Sequence, residues 1–323
     1  MHSRRSALLA VGGALAGLGF PAAGATEFPK HPVKVVVPFP PGPTDTVARI
    51  ATERLPQIWG QPVFIDNRGG AGGQIGGTLV ARSPADGYTL LFGTIHFALA
   101  PSLYPKLPYD IEKDFVPISL AAEYPTIICL NDRLPIKNLA ELVAYAKANP
   151  GKLSYGSSGN GGGTHVAGEL FKMMAGVDLL HVPYKGSGPA MTDLIGGQVQ
   201  LMFADAPTAM PQIQGRKIRP IAVGSARRSS LLPELPTVAE SGYPGYAADS
   251  WTGVWAPAAT PKDVVQTLSD GFRKVLAEPD IVRKLAQVGA EARPGTPQQF
   301  AAKLHDEIVK WAAVVKQAGI KPD

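Results

Sequence analysis

Two glycine- and proline-rich stretches hold the residues best suited to gripping a charged molecule. The first is Pro38-Phe39-Pro40-Pro41-Gly42-Pro43-Thr44-Asp45, and the second runs from Gly156 through Ser157, Ser158, Gly159, Asn160 and Gly161 to Thr164 and His165. Each follows a short strand-like run and precedes a helical pattern. At such a junction backbone N–H groups stand clear of side chains, and the helix N-terminus adds a field that favours an anion. Neither stretch has the lysine of a phosphate-binding P-loop or the G-x-S-x-G spacing of a nucleophile elbow. Two anion cradles without a catalytic group point to capture of a small carboxylate, with no chemistry performed on it.

The other chemistry-bearing residues are scattered. His96, His165 and His181 are far apart and lack an adjacent acidic ligand, so neither a metal nor a cofactor is expected. His165 stands at a helix start, where it caps, orients the loop, touches a ligand or simply packs. Asp205 closes the apolar run Leu201-Met202-Phe203, at the strand end where open α/β sheets place ligand groups. It meets a polar group of a ligand or caps the next turn. Lys185 follows His181-Val182-Pro183-Tyr184 and supplies positive charge at another strand end. Ser157 and Ser158 keep an exported serine hydrolase as the rival from another class, although nothing marks a base. Gly70-Ala71-Gly72-Gly73-Gln74-Ile75-Gly76 is off the dinucleotide spacing and reads as a helix entry packed on a sheet.

The elements that must position these residues alternate. Strands are expected at 33–37, 63–66 and 89–92, with helices at 46–58 and 73–82 between them, and Thr44 or Asp45 as the first cap. A second series begins near Pro125. A helix from Asn138 stops at Asn149-Pro150-Gly151, strands follow at 152–155, 180–183, 199–203 and 219–223, and helices at 164–175 and 189–195 separate them. One more strand at 251–256 precedes three helices at 262–277, 281–288 and 297–318. This predicts an α/β fold of two domains, each a mostly parallel sheet flanked by helices. The first domain comprises 26–123 plus 254–323, and the second 124–253. Two crossings make a hinge, and the cleft between domains is the natural ligand site.

Bulk properties narrow the class. The chain has 323 residues, 45% hydrophobic and 18% charged, enough for one or two packed cores and against disorder. Its formal charge of +5 drops to about +3 without Arg4 and Arg5, and no arginine-rich stripe suggests nucleic acid. Residues 1–25 read as an export signal. Arg4 and Arg5 form a basic start, a glycine-rich apolar stretch follows, and Ala23-Gly24-Ala25 fits a cleavage site. Ser3-Arg4-Arg5-Ser6-Ala7-Leu8 also resembles a twin-arginine signal, and Sec export is the alternative. Cys129 is the only cysteine, so no disulfide forms within the chain, and it reads as a buried small hydrophobe.

Several phrases together resemble the tripartite tricarboxylate transporter substrate-binding proteins, the Bug family. They are Val36-Val37-Pro38-Phe39-Pro40-Pro41-Gly42, Pro84-Ala85-Asp86-Gly87-Tyr88-Thr89-Leu90, Leu107-Pro108-Tyr109-Asp110, His181-Val182-Pro183-Tyr184-Lys185-Gly186, Leu235-Pro236-Thr237 and Ala318-Gly319-Ile320-Lys321. The resemblance covers nearly the whole mature chain. It implies a monomeric, type II-like periplasmic binding protein whose two domains close over a small organic acid, a di- or tricarboxylate or an aromatic acid. Delivery would be to a two-subunit membrane permease, or the loaded protein would signal to a sensor kinase. The resemblance assigns ligand contact to Phe39, Pro40, Pro41, Gly42, Thr44 and Asp45, and to Ser157, Gly159, Gly161, Thr164 and His165. Three departures bear on the site. Pro43 removes a backbone donor where the family has glycine, Gly162 replaces a serine or threonine, and the segment Gly93-Thr94-Ile95-His96 with Ala100-Pro101 differs from the common pattern. Thr94 and His96 are therefore expected to line an altered side pocket.

Overall fold

The computed structural model describes residues 28–320, and the export signal read at residues 1–25 lies outside them. From the amino end come Val33–Val37 (β1), Pro43–Thr52 (α1), Leu55–Trp59 (α2), Val63–Asn67 (β2), Gln74–Ala81 (α3), Thr89–Thr94 (β3) and His96–Leu103 (α4). Phe115–Asn131 (β4) leads to Leu139–Ala148 (α5), Ser154–Ser157 (β5), Gly163–Ala175 (α6), Leu180–Pro183 (β6), Ser187–Gly196 (α7), Leu201–Asp205 (β7), Ala206–Gln214 (α8) and Ile218–Val223 (β8). Asp249–Pro257 (β9), Lys262–Leu276 (α9), Pro279–Gln287 (α10), Glu291–Ala292 (β10) and Pro297–Ala318 (α11) complete the order.

The strands run β2-β1-β3-β9-β4-β7-β5-β6, with β8 and β10 also paired to β4. Parallel trios form each flank: β1 pairs in parallel with β2 and β3, and β5 with β6 and β7. The middle is antiparallel, because the chain must pass from one half to the other and return. β4 makes that passage in 17 residues. Its pairing with β9 ends at Pro125↔Asp249, and its pairing with β7 begins at Thr126↔Asp205. The two crossing strands therefore lie side by side.

Alternation along the strands builds two cores, one on each sheet face. Val36, Leu91, Ile128 and Leu130 join Trp251, Trp255 and Phe300 on one face. Val35, Val37, Leu90, Phe92, Ile127, Cys129 and Phe272 pack on the other. Cys129 is fully buried, and burial pushes its thiol pKa up, away from reactivity.

Three of the local departures from expectation concern α1, α2 and α4. The first helix begins at Pro43, whose locked φ and missing N–H suit the first helical position, and Gly42 occupies the cap. Thr44 and Asp45 are thus inside the first turn and cap nothing; Asp45 instead binds Arg49 one turn on, at 2.8 and 3.0 Å. The expected helix at 46–58 is two helices, interrupted at Glu53–Arg54. The third departure is α4, which carries an internal Pro101 and near-continuous burial in place of an amphipathic pattern, so no periodicity announced it.

The closing helix α11 seals the first core. Phe300 lies 4.7 Å from the ring of Trp255 and 5.6 Å from that of Trp251, and a Cβ at Gly253 would collide with the Phe300 ring. Because those indoles enclose the ring, it has nowhere to move. Gly253→Ala is expected to lower the unfolding free energy by about 1–3 kcal/mol, read by urea denaturation, and adding Phe300→Leu should recover part of that loss. An unchanged midpoint in the single variant would show that the ring yields freely.

Candidate ligand-binding cleft

The carboxyl ends of β1 and β3 meet those of β5, β6 and β7 across the crossing strands, the place where α/β sheets bind ligands. On the first side the chain turns through 38–42. The Asn67 side chain pins this loop, its Nδ2 donating to the Phe39 carbonyl at 3.1 Å. The Phe39 ring lies 5.1 Å from that of His96 at the start of α4. Pro40 and Pro41 are exposed, Gly42 and Thr44 are half-buried, and Asp45 is buried against Arg49.

The second loop is held from inside. Ser157, fully buried, shares a 2.6 Å hydrogen bond with His181 Nε2, and His181 stacks on His165 with ring centroids 3.7 Å apart. Gly161 N–H donates to His165 Nδ1 at 2.9 Å, so the proton of that ring is on Nε2, 3.9 Å from Glu169. Burial, with a smaller contribution from the Lys172 ammonium, lowers the His165 pKa to about 4. The Ser158 N–H donates to Thr164 Oγ1 at 2.8 Å, and Gly162 N–H to the Gly159 carbonyl at 3.1 Å. Gly159 and Gly161 hold φ of +125° and +69°, which require glycine. None of these bonds uses the N–H groups of Gly163 or Thr164, the first two of α6.

This wiring shows which side chains of the loop are engaged within the fold. His165 orients the loop. Gly161 directs its N–H inward to that ring and packs its α-carbon against Leu103 of α4. Gly163 approaches Ile95, and Gly162 approaches His96, so the glycines of one half meet the start of α4 from the other. Lys185 is exposed.

Asp205 ends β7 next to α8, but its side chain makes no cap bond; it accepts from Ser187 Oγ at 3.1 Å. Burial raises its pKa to about 6. The buried phenol of Tyr124 feels this carboxylate and hydrogen-bonds Ser250, whose Oγ lies 3.8 Å from where a Gly163 Cβ would be. Asp205, Tyr124, Ser250 and Gly163 thus form one wall. Asn67, His181, Tyr124, Ser187 and Ser250 were not singled out from the sequence as site residues. Only tertiary packing brings them here, apart from Ser187, which opens a helix two residues after Lys185.

Two open cavities, about 290 and 390 Å³, lie along the edge where β10 pairs with β4, and Tyr124 of that wall also lines the first. Both include Glu123 and Arg293, which are joined at 2.9 Å, and none of the expected site residues lines them.

Residues 47–320 match the family model described as tripartite tricarboxylate transporter family receptor. The chain belongs to that receptor family. Among solved structures, the periplasmic binding protein BugD is 40% identical to it with a TM-score of 0.85, covering 92% of this chain and all of its own. Rpa4515 of R. palustris, solved with adipate, is 40% identical with a TM-score of 0.87 over the same shares. MatC of Rhodopseudomonas palustris, with bound malate, is 36% identical with a TM-score of 0.82, covering 89% of this chain and all of its own. This receptor is accordingly a two-domain α/β periplasmic binding protein with its cleft between domains, as the strand order anticipates. Among the described residues no helix is long and apolar enough to cross a membrane.

The receptor's half-buried Asp205 sets a pH signature. Unfolded, this carboxyl titrates near about 3.9, whereas folded it titrates at about 6. The fold holds the extra proton between those values, so this contribution is full below the lower one and lost as pH rises through the higher. Asp205→Asn, which carries no charge to desolvate, is expected to gain stability over the parent as pH rises from 4 to 7.5, by up to about 3 kcal/mol. Thermal melts across that range check this, and a pH-independent difference would contradict it.

Proposed function

We propose that this protein captures a small aliphatic dicarboxylate in the periplasm by closing the loops 38–42 and 158–162 around it, and hands it to a two-subunit membrane permease. The observation that supports this most is the second loop. Its inner N–H groups are tied to His165, Ser157 and Thr164, while those of Gly163 and Thr164 stay outside that network at the N-terminus of a 13-residue helix. Such a helix end holds a carboxylate without any basic side chain. Relatives solved with adipate and with malate agree with a linear diacid of this size.

The domains in this reading divide near β4 and β9, whose paired crossing would act as the hinge. Export by the amino-terminal signal brings the chain to its ligand. A hydrolytic role fits poorly. Ser157 does have an imidazole at 2.6 Å, but the hydroxyl has no exposed surface and faces the inner side of the loop. A nucleophile needs room for substrate on its open side.

A thermal-shift screen over linear diacids, hydroxy-diacids, tricarboxylates and aromatic acids tests the reading. A ligand at 100 times its Kd adds about 2.7 kcal/mol to stability, and diacids of four to six carbons should give the largest upward shift. If no di- or tricarboxylate moves the midpoint while an aromatic acid does, the dicarboxylate assignment is wrong. Turnover of any bound acid would overturn the receptor role.

A further inference from the structure

Among the described residues, the His96 ring stands beside the second loop without joining its hydrogen-bond network. Its Nδ1 lies 3.0 Å from Thr94 Oγ1, which also accepts the backbone N–H of His96 at 3.3 Å. Thr94 is 4% exposed. A buried hydroxyl donates its proton where an acceptor exists, and among the described residues the acceptor within reach is Nδ1. The ring proton is then on Nε2. That edge points at the second loop: a Cβ on Gly162 would sit 3.0 Å from His96 Nε2 and 2.6 Å from Ser158 Oγ. A residue with a side chain at 162 would cover the N–H; glycine leaves it open beside the start of α6. Phe39 braces the ring from the first loop. Burial lowers its pKa to about 4, which keeps it neutral at physiological pH.

We propose that His96, held as the Nε2–H tautomer by Thr94, is a specificity-determining donor that binds a carboxylate oxygen of the ligand across the cleft from Gly163 and Thr164. The inference rests on the receptor reading and narrows its ligand class. A neutral donor at this place selects an oxygen acceptor and rejects an ammonium, so an acid with carboxylates at both ends is preferred to the amino acid of equal length. Thr94 is a positioning residue that acts through the ring.

The experiment has two independent arms. Nitrogen-15 NMR of the ligand-free protein assigns the His96 tautomer: Nε2–H is expected, and Thr94→Val should mix the two tautomers. An Nδ1–H ring in the unaltered protein overturns the proposal whatever binds. In the second arm, calorimetry compares adipate with 6-aminohexanoate. His96→Phe, which keeps the contact with Phe39, should weaken adipate at least about tenfold, the loss expected for one hydrogen bond to a charged group. His96→Gln, which restores an N–H at similar reach, should stay within about threefold of the parent. Adipate affinity unchanged in His96→Phe, or equal affinity of the parent for both compounds, overturns the assignment. If the unaltered protein ignores adipate yet has the Nε2–H ring, the dicarboxylate reading fails and the tautomer stands, which separates the two claims.

Discussion

Two stacked imidazoles behind the second loop determine what the cleft can offer. His181 fastens Ser157, His165 takes the Gly161 N–H, and the rings lie 3.7 Å apart and nearly parallel. Tyr155 extends the stack, with its hydroxyl bonded to Glu169 at 2.6 Å and its ring 4.9 Å from that of His181. A loop rich in glycine has little stiffness of its own, because each glycine gives up more conformational freedom on ordering than other residues. Here rigidity comes from beneath, so the surface facing the cleft can remain bare backbone. Preorganised dipoles need no reorganisation when a charge arrives.

The same burial that stiffens the loop disfavours charge on the protein's own groups. His96 and His165 are pushed down to about 4 and stay neutral, and Asp205 is pushed up to about 6. All three shifts have desolvation as their first cause. In such surroundings a ligand carboxylate would be the dominant charge, and dipoles act on it more strongly than they would in water. The long strand β4 serves this arrangement mechanically. It passes through both halves as one strand with register shifts, so that Tyr124 and Thr126, two residues apart, connect the wall at Ser250 with the end of β7 at Asp205.

Much of the fold was legible because its signals are local. Val33–Val37 and Leu180–Pro183 are short runs with turn residues after them, and the closing helix Pro297–Ala318 has both a capping box at Thr296 and a periodic apolar face. The two glycine-rich loops, each set between a strand and a helix, were legible from composition alone. What was hidden depends on long-range contact. The first half of β4 is broken by Pro117 and Pro125, which hide a strand whose partner is more than a hundred residues away. Likewise no spacing rule links Ser157 to His181 or Gly161 to Leu103. The roles of Asp45 and His165 turned on which neighbour each side chain reached, Arg49 in one case and the loop N–H in the other.

The central claim is that an anion is held by the free backbone at the start of α6 and not by a basic side chain. A crystal structure with a bound diacid tests it directly. The account predicts a carboxylate oxygen about 3 Å from the N–H groups of Gly163 and Thr164, with the loop 38–42 closed over it. A diacid held by Lys185, or seated in the cavity beside Glu123 and Arg293, would contradict it.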